Sequence, residues 1–371
     1  MKTIISYLFF LLIYGQLFCQ IKIVDSKTKT PIPQVHIVSE NGVLLGISTI
    51  NGVLNIDKIR DEFSIHEDHL IEISHISYRK KKIYWRELVK NKYLELNLNS
   101  LTLNTVTVSA KKSSPNYLVL KGYFRSYQLD NNTPKAYMDG IVAYFIPLHK
   151  SKSLKVKVLE NRTFRNPELF ETKIKSKGVY TATTGDRTGP PYIEKKTALN
   201  ELKNYSFIDS TKFTCKILVG KDTLGVLQHD SLLNTFIINI DITSPDRAYS
   251  RSLLNYTTKF DVFSISERYA SITSEWNKKS NLVTRTEYRK QFVSHKKALK
   301  APIKVESYHE FYVTEASYSS TSEFKAKKAG SYFGSKKTAF STNFWMNLES
   351  HNIPKLPDFI NNLLGQELQM Y

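Results

Sequence analysis

Cysteine is nearly absent from this chain: Cys19 and Cys215 are the two in 371 residues. A disulfide framework is excluded, so the folds must hold by burial of apolar surface. Acids are scarce beside bases, 34 against 53, for a formal net charge of +19. Long apolar runs are lacking as well. The one candidate, Ile4 to Ile13, is too short to span a bilayer as a mature helix. Catalytic signatures are equally sparse. There is no G-x-S-x-G and no H-E-x-x-H. His66 and His69 stand three apart in an expected loop, with no third ligand in reach. Gly185 to Pro191 is Gly-rich but lacks the Lys-Ser/Thr ending of a phosphate loop. Ser77 to Lys80 and Ser294 to Lys297 match S-x-x-K without the partner motifs of that chemistry. Asp209, Asp261 and Glu275 are scattered over expected strands, and His75 reads as a packed strand residue. No catalytic, cofactor-binding or metal-ligating residue is assigned.

What is present begins with a leader. Lys2, the apolar stretch from Ile4 to Ile13 and Leu17-Phe18-Cys19 form a signal-peptide pattern over residues 1–19, with cleavage expected before Gln20. The competing reading keeps Cys19 as an acylated lipoprotein anchor. Phe18 argues against it, because such signals carry a small residue before the cysteine. The expected location is the periplasm or the outer-membrane surface. After cleavage Cys215 remains, in an alternating stretch with Phe213, Ile217 and Val219, where it reads as a buried apolar thiol.

The charge is uneven. Residues 20–110 hold twelve bases against ten acids, and residues 111–371 hold forty against twenty-four. Such a field attracts polyanions. For an exported protein the partners expected are an envelope protein, an anionic lipid or an anionic glycan, and not nucleic acid. A solvated lysine-rich surface is the bland account of the same charge. Lys296-Lys297 form one dense group. Lys325, Lys327, Lys328, Lys336 and Lys337 flank Gly330-Ser331-Tyr332-Phe333-Gly334 and are the candidate contacts to an anionic surface, a peripheral membrane contact.

Residues 20–110 read as about seven short strands: Gln20–Val24, Val35–Val38, Val43–Thr49, Val53–Ile56, Leu70–Tyr78, Tyr93–Leu98 and Thr105–Val108. Asn41-Gly42 and Asn51-Gly52 mark hairpins of type I′. Leu94, Leu96 and Leu98 alternate with Glu95 and Asn97, giving one buried and one wet face. The expectation is a Greek-key sandwich. Ile23-Val24-Asp25, Pro31-Ile32-Pro33-Gln34-Val35, Gly46-Ile47-Ser48-Thr49, Ile73-Ser74-His75-Ile76-Ser77-Tyr78 and Leu103 to Ala110 carry a resemblance. In order and spacing they resemble the carboxypeptidase regulatory-like, transthyretin-like domain of Bacteroidota envelope proteins. His75 and Ser77 depart from it, where that family often has Tyr and Gly. The resemblance implies an interaction or spacer module without peptidase chemistry.

Residues 111–116 read as a polar linker, and 117–371 as a basic, antiparallel β-rich domain. Two aromatic segments, 117–127 and 136–146, surround Asp130 to Pro134. Further strands are expected at 213–219, 234–243, 256–264, 269–276, 282–293 and 302–314, with Asp222-Thr223 as a turn. Leu356, Phe359, Ile360, Leu363, Leu364 and Leu368 have helical spacing over 354–368. The fold class is therefore mainly β, a sandwich followed by a larger antiparallel sheet with a C-terminal helix. Three functions stay open: a non-catalytic envelope protein with a partner- or lipid-binding basic domain, a periplasmic lipid carrier, and a hydrolase with a dispersed site. The empty motif search favours the first.

Overall fold

Buried apolar residues at every second position build the first unit, Met1–Asn99. In the computed structural model the described residues are 20–75, 77–99, 115–149, 152–174, 184–202, 204–211, 214–230, 234–243, 250–253, 255–270, 277–296, 299–321, 326–328, 336–351 and 353–371. The first unit runs β1 (Gln20–Asp25), β2 (His36–Ser39), β3 (Leu44–Ile47), β4 (Val53–Asn55), α1 (Ile56–Phe63), β5 (Leu70–His75), β6 (Tyr78–Tyr84), α2 (Trp85–Lys90) and β7 (Tyr93–Leu96). One sheet has the order β4-β1-β7 and the other β3-β2-β5-β6. Ile21, Ile23, Leu54, Leu94 and Leu96 from the first meet Ile37, Leu45, Ile71, Ile73 and Ile83 from the second in a single core.

Three expectations are corrected here. The segment Leu70–Tyr78 is not one strand but the start of a β5–β6 hairpin. Val53–Ile56 runs straight into α1, whose first turn is capped by Asn55 Oδ1 accepting from Lys58 N at 2.9 Å. The two Asn-Gly hairpins are not type I′. Gly42 and Gly52 have φ of 77° and 71°, while neither Asn41 nor Asn51 is among the positive-φ residues. Gly42 N donates to Ser39 O and Ser39 N to Val43 O, and the pattern repeats at Thr49, Gly52 and Val53. These are three-residue loops closed by a left-handed glycine. The strand expected at Thr105–Val108 lies outside the described residues.

The second unit, Ser100–Tyr371, runs β8 (Tyr117–Asp130), β9 (Thr133–Pro147), β10 (Lys155–Arg165), α3 (Pro167–Ile174), β11 (Tyr205–Thr211), β12 (Thr214–Val219), β13 (Asp222–Asp230), β14 (Thr235–Asp241), β15 (Ser250–Leu253), β16 (Tyr256–Ala270), β17 (Leu282–His295), β18 (Ile303–Ser319), β19 (Lys327–Lys328), α4 (Asp358–Leu363) and β20 (Gln369–Met370). Its strands form one large sheet in the order β11-β12-β13-β14-β16-β17-β18-β8-β9-β10-β19, with β15 on β16 and β20 on β10. Here a true type I′ turn occurs: Asn131 and Asn132, at φ 50° and 66°, join β8 to β9. The sequence therefore folds into a mainly β protein, as expected.

The sheet is covered on both sides. Even-numbered residues of β8 and β9, among them Leu118, Leu120, Phe124, Met138, Val142 and Tyr144, share a core with Ile193, Ala198, Leu199 and Leu202. Odd-numbered residues in the middle of the same strands, among them Tyr123, Arg125, Tyr127 and Tyr137, face the C-terminal segment. Tyr123 and Tyr312 pack on Leu348 and Ile353, and Tyr137 and Phe164 pack on Ile360 and Leu368. The helix expected over 354–368 is only α4, six residues long. Pro354 and Pro357 restrict its start, and Gly365 at φ +83° follows its end. Cys215 is half-buried rather than buried, on β12 near the end of the sheet.

Candidate functional site

The C-terminal segment is short of regular structure and is fastened to β10 by backbone and side-chain hydrogen bonds. Asn161 N donates to Ala339 O at 2.7 Å, Ala339 N to Asn161 O at 2.9 Å, and Asn161 Nδ2 to Lys337 O at 2.9 Å. Thr163 N donates to Thr338 Oγ1 at 3.0 Å. Ser341 Oγ and Thr342 Oγ1 donate to the Glu160 carboxylate at 2.9 and 2.7 Å. Burial pushes that carboxyl up, but the bonds from Thr342 and Ser341 outweigh it and hold it below its ordinary value.

Beneath this segment the sheet carries a row of charges in register. Thr286 lies opposite Glu310, Glu310 opposite Arg125, Arg125 opposite Asp139, and Asp139 opposite Arg162. Arg125 Nε pairs with Glu310, and Tyr312 OH donates to the same carboxylate at 3.0 Å. Arg162 donates to both oxygens of Asp139, at 2.9 and 2.5 Å. Tyr123 OH and Tyr137 OH also reach Asp139, each at 3.0 Å. Arg125 Nη1 then donates upward to Pro354 O at 2.9 Å, tying the covering segment to the row. Arg162 lies 4.2 Å from the centre of the Trp345 ring. Burial and the carboxylate Asp139 push the Tyr123 and Tyr137 hydroxyls well up. The row is a set of satisfied ion pairs, suited to position rather than to transfer protons.

Beside the row, between β8, β9, β10, β18 and the covering segment, lies a groove of about 830 Å³. Its floor is apolar: Tyr123, Ile141, Phe344, Leu348 and Ile353. Lys121, Glu160, Glu315 and His351 bring charge or polarity to its walls. The volume lies in the range of small-molecule sites. An apolar floor with ionic groups around it fits a ligand having an apolar body and a polar end.

The opposite face holds a second charged cluster, and here the chain is closed. Residues 184–202 cross the core. Glu267 accepts from Lys279 Nζ at 2.8 Å, Arg285 Nη1 at 2.8 Å, Tyr269 OH at 2.5 Å and Ala198 N at 2.6 Å. Glu194, on the crossing segment, takes two bonds from Arg285, at 2.7 and 3.1 Å. His309 Nδ1 lies 3.0 Å from Gly189 O. Burial pushes Glu194 up to about 7, with the Glu267 charge adding to the shift and Arg285 opposing it. Burial acts the same way on Glu267, but Lys279 and Arg285 overcome it and hold that carboxyl at about 2. The cluster pins the segment across the sheet.

The lysines singled out in the sequence are divided by the structure. Lys325 lies outside the described residues. Lys328 and Lys327 form β19 and pair with Lys155 and Val156 of β10. Lys336 Nζ donates to Asn161 Oδ1 at 3.0 Å, and Lys337 is exposed, its Nζ 5.8 Å from the centre of the Tyr371 ring. All four thus lie along the β10 edge. His75 is buried, its Nδ1 accepting from Ser77 N at 3.1 Å, and His66 and His69 sit in a loop. Sequence reasoning missed the groove residues. Tyr123 and Ile141 stood within the aromatic segments, but nothing in the periodicity marks Phe344, Leu348 or Ile353.

No family model matches the chain, and no curated protein matches it. Among solved structures, one titled for lipid–protein interactions in lipovitellin is similar at 11% identity and a TM-score of 0.29. That likeness covers 64% of this chain and 30% of the other.

Proposed function

We propose that this chain is a non-catalytic, exported envelope protein whose second unit binds an amphipathic, lipid-like ligand. In this reading the first unit is the regulatory-like module, serving as an interaction or spacer domain. The groove of about 830 Å³ carries the proposal, because its floor is apolar while Lys121 and His351 supply a place for a polar end. Around it the ionic groups of the sheet are already engaged with one another, which suits binding better than bond cleavage. Fluorescence titration with dansyl-undecanoic acid tests the reading. Saturable binding is expected, and Ile141→Trp, which fills the floor, abolishes it while leaving the far-UV circular dichroism unchanged. Absence of saturable binding, or binding indifferent to that substitution, overturns it.

A further inference from the structure

Two walls of the groove are β-bulges, one on each side of the β8–β9 pair. In β18 the register shifts between Val313, opposite Gly122, and Glu315, opposite Lys121, so Thr314 is the extra residue. In β10 it shifts between Val158, opposite Val142, and Glu160, opposite Ile141, so Leu159 is the extra residue. Each bulge closes on a glycine of the inner strand beside it. A Cβ on Gly122 would meet Tyr312 O, and one on Gly140 would meet Glu160 O. Where two residues oppose one, the parity of the strand reverses beyond them. Thr314, Glu315, Leu159 and Glu160 all line the groove.

The reversal decides where Glu315 stands. In a straight strand Thr314 would oppose Lys121, and Glu315 would oppose Leu120, which is fully buried in the core. With the bulge, Ala316 takes that core position and Glu315 comes to the groove wall. The two carboxylates brought in by the bulges are used differently. Glu160 is occupied, holding Ser341 and Thr342 of the covering segment. Glu315 is exposed and its side chain engages no other, and the same holds for Lys121 directly opposite it. An ammonium and a carboxylate, neighbours in register, are thus left open at one end of an apolar floor. The floor leads away from them through Tyr123 and Ile141 to Leu159. From β18 to β10 is three strand spacings, about 14 Å, close to the ~15 Å that the chains of one bilayer leaflet span. A purely anionic head would use Lys121 and be repelled by Glu315. A head carrying both charges satisfies both side chains.

We propose that the groove selects a zwitterionic single-chain amphiphile, with its phosphate on Lys121 and its primary ammonium on Glu315. This rests on the reading of the groove as the site of an amphipathic ligand and adds the charge of the head. The net charge of +19 by itself favours anions, so preference for a head of no net charge is a property that Glu315 supplies.

The test is displacement of dansyl-undecanoic acid from the chain from Gln20 onward. The competitors are decanoyl lysophosphatidylethanolamine and its N-acetyl derivative, which keeps the phosphate and loses the ammonium. Displacement by the zwitterion at about fivefold lower concentration is expected, the gain of one solvent-accessible ion pair. Glu315→Gln should bring the two competitors level. It should also tighten dansyl-undecanoic acid binding about twofold, because the carboxylate beside Lys121 is gone. Glu315→Asp keeps the charge and should keep the preference. Glu40→Gln, at an exposed position of the first unit, removes the same charge and should leave the preference at its original size. Equal displacement by the two competitors, or a preference that survives Glu315→Gln, overturns the headgroup assignment and leaves groove binding standing. Failure of dansyl-undecanoic acid to bind removes both.

Discussion

Substituting Glu267 with Gln removes one charge from the closed cluster and leaves its partners buried. Glu267 is fully buried, and its carboxylate serves four donors: Lys279, Arg285, Tyr269 and Ala198. Arg285 keeps Glu194 in the variant, and Glu287 lies 3.4 Å from its Nη2. Lys279 keeps the amide oxygen and Tyr269 OH, at 3.4 Å, as acceptors but loses the negative charge beside it, while it remains 6% exposed. Breaking a buried pair on one side costs about 3–5 kcal/mol. Because Arg285 stays compensated, the lower end, about 3 kcal/mol, is expected for Glu267→Gln. Adding Lys279→Met removes the stranded ammonium and should restore about 2 kcal/mol, a coupling that a double-mutant cycle isolates. Urea unfolding followed by tryptophan fluorescence reads this in a Trp85→Phe background, where Trp276 and Trp345 report on the second unit. A loss below about 1 kcal/mol, or no rescue by Lys279→Met, would refute the reasoning that charge satisfaction pins the crossing segment.

Glu194 gives the cluster a pH dependence. Its carboxyl is held at about 7 against an ordinary 4.5, so between these values the folded chain binds more protons than the unfolded one and stability falls as pH rises. Glu194→Gln should remove that decline from a series of Tm values measured across the window; a decline of wild-type size in the variant refutes the assignment. Gly122→Ala should prevent formation of the β8–β18 pairing, since a Cβ there meets the carbonyl oxygen of Tyr312, whereas Gly185→Ala, with open space but φ +69°, should cost only about 1 kcal/mol. Thermal melts distinguish the two. A fragment of residues 20–110 should melt cooperatively as a β domain by circular dichroism, because its strands close one core from both sheets.

Strand positions were legible wherever alternation runs unbroken. The β1, β2, β3, β7, β12, β14, β17 and β18 segments were all anticipated to within a few residues. The strand expected over 256–264 runs on as β16 to Ala270 through Ser264, Ser266, Glu267 and Arg268, all four buried although they interrupt the apolar pattern, while residues 271–276 of the strand expected over 269–276 lie outside the described residues. The β16 interior is polar on both faces, which no hydropathy pattern reveals. In β10 the register shift between Val158 and Glu160 reverses which parity faces the core, so Lys155 to Arg165 shows no single alternation. Placing a turn at Asp222-Thr223 hid β13, which starts there; the turn residue is Gly220 at φ +65°. The groove was illegible for a different reason. Half of it comes from residues 342–353, whose positions depend on hydrogen bonds to Glu160, Asn161 and Arg125 rather than on any local periodicity.

The order of strands in the large sheet has a consequence for how it forms. Strands β8 to β10 are consecutive neighbours, as are β11 to β14 and β16 to β18, so nearly every pairing is a local hairpin. The pairing of β18 with β8 alone joins the two runs, and it is among the longest, from Val305–Asp130 to Ser319–Tyr117. Local hairpins form within microseconds, whereas a pairing between distant segments waits on closure of the whole intervening loop. Two partial sheets therefore precede the complete one, each exposing a long unpaired edge, β8 on one and β18 on the other. Those edges are complementary within one molecule and equally so between two. Newly made chains at high concentration are thus at risk of exchanging halves, a risk that rapid closure of this seam lowers.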